Sequence, residues 1–325
     1  MSTRTTPFDL SLAEIDGAAA LIREVVPPTP TFRWPVLAQR LEVDLALKHE
    51  NQTCLGAFKV RGGLTYVDAL RRRAPQVQRL IAASAGNHGQ SLALAGARAG
   101  LGVTIVVPRD CAQEKTAAMR ALGAQIVEHG ADFEASYVYA RTLDAGDPTA
   151  EFVPSFHRDL VLGVATYARE LFAAGPFDVV YVPIGLGSGI TGLIAVRDLL
   201  RLPTEIVGVV SETYPAYALS LAAGVPRERA AAAPTIADGI GCRVPDPTAF
   251  AMIQAGAARI VTVSEAGIRA AMGWLFSDTH NVAEGAGAAA VAAVAAERAL
   301  LGGRRVAAVV SGGNVDRAVF AAVLA

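Results

Sequence analysis

Short continuous apolar runs, rich in β-branched residues, alternate along this chain with longer stretches whose apolar positions recur at helical spacing. Residues 43–48, 79–83, 102–107, 124–128, 179–182, 205–210 and 304–310 read as strands. Residues 56–72, 86–99, 115–122, 133–145 and 192–200 read as helices. Strands without a polar face are covered on both sides, which argues for parallel sheets flanked by helices. The pattern predicts an α/β protein built on open, mostly parallel sheets. Segment 77–151 carries β-α-β-α units of its own, and the loop at 144–149, with Gly146 and Pro148, reads as a return to a larger unit. The expected division is a large domain from 1–76 and 152–325 and a small domain from 77–151. The Ala-rich tract at 229–234 reads as a helix end or a linker.

Composition narrows what such a fold does. A length of 325 residues suits about two domains. Hydrophobic residues make up 52% and charged ones 18%, which supplies a core and excludes a disordered chain. With 29 basic and 30 acidic residues, no field draws nucleic acid or an anionic membrane. The first thirty residues, with Arg4, Asp9, Glu14 and Asp16, lack a basic start and apolar run. The longest apolar stretch, 286–296, is Ala-rich and too short to span a bilayer. The expectation is a cytoplasmic protein acting on a small molecule. Cys54, Cys111 and Cys242 lie far apart, so neither a disulfide framework nor a structural zinc site is expected.

Only Lys48, Lys59 and Lys115 can supply an amine that loses its proton near neutral pH; every other basic residue is arginine. Lys59 stands in Gly56-Ala57-Phe58-Lys59-Val60-Arg61-Gly62-Gly63, close to a predicted helix start. A positive charge is disfavoured there, which lowers the amine's pKa and suits a nucleophile, although a solvated surface lysine fits the spacing too. Ser84-Ala85-Gly86-Asn87-His88-Gly89 follows a strand and opens a helix. Its free amides suit an anion, and its Ser and Asn equally suit a cap and turn. Pro183-Ile184-Gly185-Leu186-Gly187-Ser188-Gly189 sits between strand and helix, either as a phosphate cup or as a tight connection. It matches neither the dinucleotide fingerprint nor a Walker A loop. Ser311-Gly312-Gly313-Asn314 ends the last strand, where open α/β sheets gather ligands and turns alike.

Taken in order with Lys48-His49-Glu50, Thr235-Ile236-Ala237-Asp238-Gly239 and residues 284–288, these segments resemble the serine/threonine dehydratase family of fold-type II pyridoxal 5′-phosphate enzymes. The resemblance runs from about Thr29 to Asn314. It implies a two-domain, tryptophan synthase β-like fold, a homodimer, and elimination of water from a β-hydroxy amino acid to give a 2-oxo acid and ammonia. It implies that Lys59 is the Schiff-base lysine, with Phe58 beside it. Asn87 matches the residue that hydrogen-bonds the cofactor's ring hydroxyl. Gly185, Leu186, Gly187, Ser188 and Gly189 match the phosphate cup, and Ser311 the neutral partner of the ring nitrogen. Ser84, Ala85, Gly86, Asn87 and His88 match the loop for the substrate carboxylate.

Several positions depart from the family pattern. Ala57 replaces a serine and Leu186 and Ser188 interrupt a run of glycines, which suggests a roomier or drier pocket suited to a substrate such as L-threo-phenylserine. Glu212 and Ala216 align with a cation site, but Ala218 replaces its aspartate, so a monovalent ion fits better than a divalent one. Ala85 stands where amino-acid racemases of this scaffold place a second acid/base serine, and alanine moves no proton. The competing readings are such a racemase and a ligand-binding homologue without chemistry; retained Lys59 speaks against the latter.

Overall fold

The computed structural model describes residues 8–109, 111, 113–229 and 233–325. Arg4 and the middle of the Ala-rich tract lie outside the described residues. In chain order the elements are α1 (Leu12–Arg23), β1 (Thr31–Arg33), α2 (Pro35–Leu41), β2 (Asp44–His49), α3 (Lys59–Arg73), β3 (Arg79–Ala83), α4 (Asn87–Arg98), β4 (Gly102–Val107), α5 (Gln113–Ala121), β5 (Gln125–Glu128), α6 (Phe133–Ala140) and β6 (Ala150–Phe152). They continue with α7 (Arg158–Ala173), β7 (Val179–Pro183), α8 (Ser188–Leu199), β8 (Glu205–Ser211), α9 (Ala216–Ala223), α10 (Pro247–Gly256), β9 (Arg259–Val263), α11 (Glu265–Thr279), α12 (Gly285–Glu297), β10 (Arg305–Val310) and α13 (Arg317–Leu324). Every strand and helix read from the pattern has a counterpart here.

Two sheets form. One runs β1-β2-β10-β7-β8-β9 and the other β5-β4-β3-β6. All neighbours pair in parallel except β1, which runs antiparallel to β2. The continuous apolar strands hide a strict alternation. Leu45, Leu47, Val179 and Tyr181 pack with α11 and α12 on one face of the larger sheet. Ala46, Val180 and Val182 pack with α7, α8 and α10 on the other. A period of two with both faces covered leaves no polar position to see in the sequence. Because the strands are parallel, the carboxyl ends of β3, β7 and β10 carry the Ser84, Gly185 and Ser311 loops, all of which open onto one cavity.

Boundaries differ from the sequence pattern where side chains compete for the backbone. Helix α3 begins at Lys59, three residues later than expected. Ala57 N–H donates to the Thr53 hydroxyl, and that hydroxyl donates to Ala57 C=O, both at 2.9 Å. Phe58 N–H donates to the Ser311 carbonyl at 3.1 Å. Helix α8 begins four residues earlier than expected, because Gly187 takes the left-handed conformation (φ 105°) and serves as its N-cap. Helix α3 is pinned to α7 by close approach: a side chain at Gly163 would run into the Arg61 carbonyl and the Thr65 hydroxyl.

Candidate active site

The cavity has a volume of about 390 Å³. Its wall contains Phe58, Lys59, Ser84, Ala85, Gly86, Asn87, His88, all of residues 185–189, and Ser311, so the candidates named from sequence meet in one place. Glu212 and Ala216 do not line it. The Glu212 carboxylate accepts the Glu265 N–H at 3.1 Å, and no cluster of metal-ligating side chains occurs among the described residues. Ala57 is buried outside the cavity against Gly312, so its small side chain adds no room there; this corrects the expectation of a pocket enlarged at that position.

Lys59 is the first residue of α3, and its Nζ donates to Ser188 Oγ at 3.3 Å. The amine also lies 5.0 Å from the centre of the Phe58 ring. Burial pushes its pKa down to about 8. The expected helix-terminus effect is therefore not the main cause; desolvation is. Phe58 is held edge-on to Tyr167, whose hydroxyl donates to Gly189 C=O at 3.1 Å. The lysine and the glycine loop are thus tied through one aromatic pair.

The glycine loop is a cradle shaped by the absence of side chains. A Cβ at Gly185 would stand 2.7 Å from the Gly239 carbonyl oxygen, and one at Gly187 would stand 2.8 Å from Ala249 Cβ. Helix α8 is twelve residues long, and its first amides open at this loop. A helix N-terminus meeting a glycine cradle suits a phosphate group. A desolvated amine, a cavity-facing carboxamide and the Ser311 hydroxyl complete a donor set that fits pyridoxal phosphate.

Ser84 does not offer a free hydroxyl. Its Oγ accepts from Gly89 N–H at 2.9 Å and Gly86 N–H at 3.2 Å, which shapes the loop at the start of α4. His88 is 7% exposed, its Nε2 has no partner, and its pKa is pushed down to about 3, chiefly by burial and then by the charge of Lys59. It is a neutral imidazole.

Sequence reasoning missed a second polar group in the same cavity. Glu284, 4% exposed, caps α12 and lies beside Asn87, which donates to its Oε1 at 2.7 Å. Burial pushes its pKa up to about 7; Asp238 adds to the rise while Lys115 and Asn87 oppose it. Lys115, from α5, is ion-paired with Asp238 across the cavity. The scarcity of lysine flagged Lys115 as an amine, but nothing local to it signalled Asp238, 123 residues away.

Comparisons with known proteins place the chain in a family. Residues 22–312 match the family model described as pyridoxal-phosphate dependent enzyme. The chain is 33% identical to the L-threonine ammonia-lyase of Thermotoga maritima over 308 residues, which is 94% of this chain and 76% of that one. The processed form of threonine deaminase isoform 2 from Solanum lycopersicum superposes with a TM-score of 0.86 at 28% identity, covering 98% of this chain and 94% of that one. Maize serine racemase superposes with a TM-score of 0.88 at 24% identity, covering 95% and 94%, a likeness of fold. No helix among the described residues is long and apolar enough to cross a membrane. The chain is a lyase that takes pyridoxal phosphate as its cofactor, and it belongs to the threonine ammonia-lyase/dehydratase family of pyridoxal-phosphate-dependent enzymes.

Proposed function

We propose that this enzyme removes water from an L-β-hydroxy amino acid, with L-threonine or L-serine as substrate, and releases a 2-oxo acid and ammonia. The observation that carries the reading is the Lys59 amine, desolvated and set between the glycine cradle and the Ser84–His88 loop. The cofactor would be held by Lys59, Asn87, Ser311 and the amides of residues 185–189. Bound there, it supplies the carbonyl that captures the substrate amine and the conjugated ring that draws electrons from Cα.

The remaining roles belong to the chain itself. The opening amides of α4, at Asn87 and His88, take the substrate carboxylate. Ser188 orients the Lys59 amine, which removes the Cα proton. Burial lowers the pKa of that amine, which eases its loss of a proton relative to an ordinary lysine. The Ser311 hydroxyl carries no charge, so it leaves the ring nitrogen unprotonated and limits how long charge is stored there. That favours prompt loss of the β-hydroxyl. Ala85 offers no proton on the opposite face, which supports elimination over racemisation.

Phenylserine is the competing substrate. Phe133, Leu186, Ile240 and Val244 give the cavity an apolar side, although Ala57 adds nothing to it. We also take 77–151 as a small domain built on the four-stranded sheet, and we place the enzyme in the cytoplasm as a homodimer, which sedimentation tests directly. For the reaction, kcat/KM is compared for L-threonine, L-serine and L-threo-phenylserine, with chiral analysis of unreacted substrate. Accumulating D-enantiomer overturns the elimination reading. A preference for phenylserine overturns the small-substrate assignment alone.

A further inference from the structure

We infer that Asn314 is a positioning residue that fixes which end of the Asn87 carboxamide faces the cofactor. The inference rests on the reading above, in which Asn87 contacts the bound group. A carboxamide has the same shape at both ends but opposite hydrogen-bonding sense, so its direction must be imposed by neighbours of fixed polarity. The neighbour of fixed polarity here is the Leu55 backbone carbonyl, which can only accept. Asn314 Nδ2 donates to it at 2.7 Å. The same nitrogen has a second hydrogen, which it donates to Asn87 Oδ1 at 2.8 Å. Asn87 Oδ1 is thereby committed as an acceptor, and Asn87 Nδ2 must point the other way. There it donates to Glu284 Oε1 at 2.7 Å.

The chain of polarity runs in one direction, from Leu55 through Asn314 and Asn87 to Glu284. It leaves Asn87 one amide hydrogen beyond the one given to Glu284. Asn314 itself cannot turn over, because that would set its oxygen against the Leu55 carbonyl oxygen. Space for it is kept by Gly56, where a Cβ would stand 2.6 Å from Asn314 Oδ1. These contacts join four separate stretches of chain: the loop before α3, the start of α4, the cap of α12 and the loop after β10.

The test uses Asn314→Ala and Asn314→Asp. The second keeps the shape and removes both hydrogens. Each is made in the wild-type background and in Asn87→Ala. Enzyme freed of cofactor is titrated with pyridoxal phosphate, following the dissociation constant and the visible absorption maximum, with circular dichroism to check that each variant is folded. In the wild-type background both substitutions should weaken binding roughly tenfold and shift the absorption maximum. In the Asn87→Ala background they should change the dissociation constant by less than about twofold, because the group they act through is gone. An equal loss in both backgrounds overturns the proposal and makes Asn314 a general structural residue. Unchanged binding in the wild-type background overturns it as well. An Asn87→Ala variant that binds cofactor like wild type removes the underlying assignment of Asn87, and the proposal with it. If one Asn314 variant does not fold, the other gives the same comparison.

Discussion

Two residues apart, and about 200° apart around α3, Lys59 and Arg61 enter regions that treat buried charge in different ways. Arg61 is fully buried and saturated: its guanidinium donates to Glu50, Glu170, Thr166 and Thr29. Lys48 joins the same cluster, donating to Glu170 Oε2 at 2.6 Å and to the Thr29 carbonyl at 2.7 Å. Burial alone would lower the Arg61 pKa, but Glu50 and Glu170 outweigh it and raise it. Burial would raise that of Glu170, but Arg61, helped by Lys48, holds it below the usual carboxylate range. On the cavity side loss of water contact has the opposite result. The Lys59 amine has one hydroxyl for company and drops to about 8; Glu284 rises to about 7. Counter-charges set Arg61 and Glu170 apart from Lys59 and Glu284, although burial still lowers the pKa of the Lys48 amine despite its two carboxylates. Arg61 on one side of α3 anchors a charged cluster, whereas Lys59 on the other side and Glu284 at the cap of α12 change protonation near neutral pH.

The largest break in this contrast is Lys59→Ala. Turnover should fall by at least roughly a thousandfold. Borohydride trapping of the cofactor followed by peptide mass analysis should label residue 59 in wild type and nothing in the variant. Label on Lys48 or Lys115 would reverse the assignment of the two lysine environments. Removing the anchor comes next. Arg61→Ala leaves Glu50 and Glu170 with Lys48 as their remaining cation, and should cost about 3–5 kcal/mol in chemical denaturation. A loss below about 1 kcal/mol would mean that the cluster is already hydrated.

Glu284 gives an effect of intermediate size with a defined sign. Its folded pKa of about 7 lies above the ordinary 4.5, so between those values the folded protein holds a proton that the unfolded chain has released. Stability should therefore be lost as pH rises through that window, by on the order of 3 kcal/mol at most. Melting of the cofactor-free enzyme from pH 5 to pH 7 should show that decline, and Glu284→Gln should flatten it. Equal slopes would place Glu284 with the compensated charges. The smallest effect is Lys59→Met, which removes a poorly compensated amine and should stabilise the cofactor-free protein by about 0.5–1 kcal/mol. Destabilisation would show that Ser188 and Phe58 satisfy the amine better than their geometry suggests.

The sequence showed this site unevenly. Strands buried on both faces announce themselves as apolar runs, and glycine-rich loops at their ends mark where a ligand can approach; both were legible. Helix α12 was not, because its alanines carry no periodic contrast: residues 285–294 are all buried, and burial all round erases the stripe that marks a surface helix. Glu284 and Asp238 were visible only as members of motifs. Their chemistry depends on Asn87 and Lys115, which chain folding brings to them from more than a hundred residues away. The misplaced start of α3 had a similar cause, since the bond that holds Phe58 outside the helix comes from Ser311.

That last connection governs when, during its own synthesis, the protein acquires a working site. Residues 56–58 are stitched to 311–313 by a bridge between Ala57 and Gly312 and by flanking bonds from Phe58 to Ser311 and from Gly313 to Gly56. Asn314 and Leu55, in contact, are 259 residues apart in the chain. A ribosome delivers Lys59 well before its anchoring strand β10. Throughout that interval the lysine stands at the head of a helix whose lead-in loop is held only by its own short-range bonds between Thr53 and residues 56–57. Cofactor capture by this route waits for β10, and a chain interrupted before that strand carries the reactive lysine without the frame that aims it.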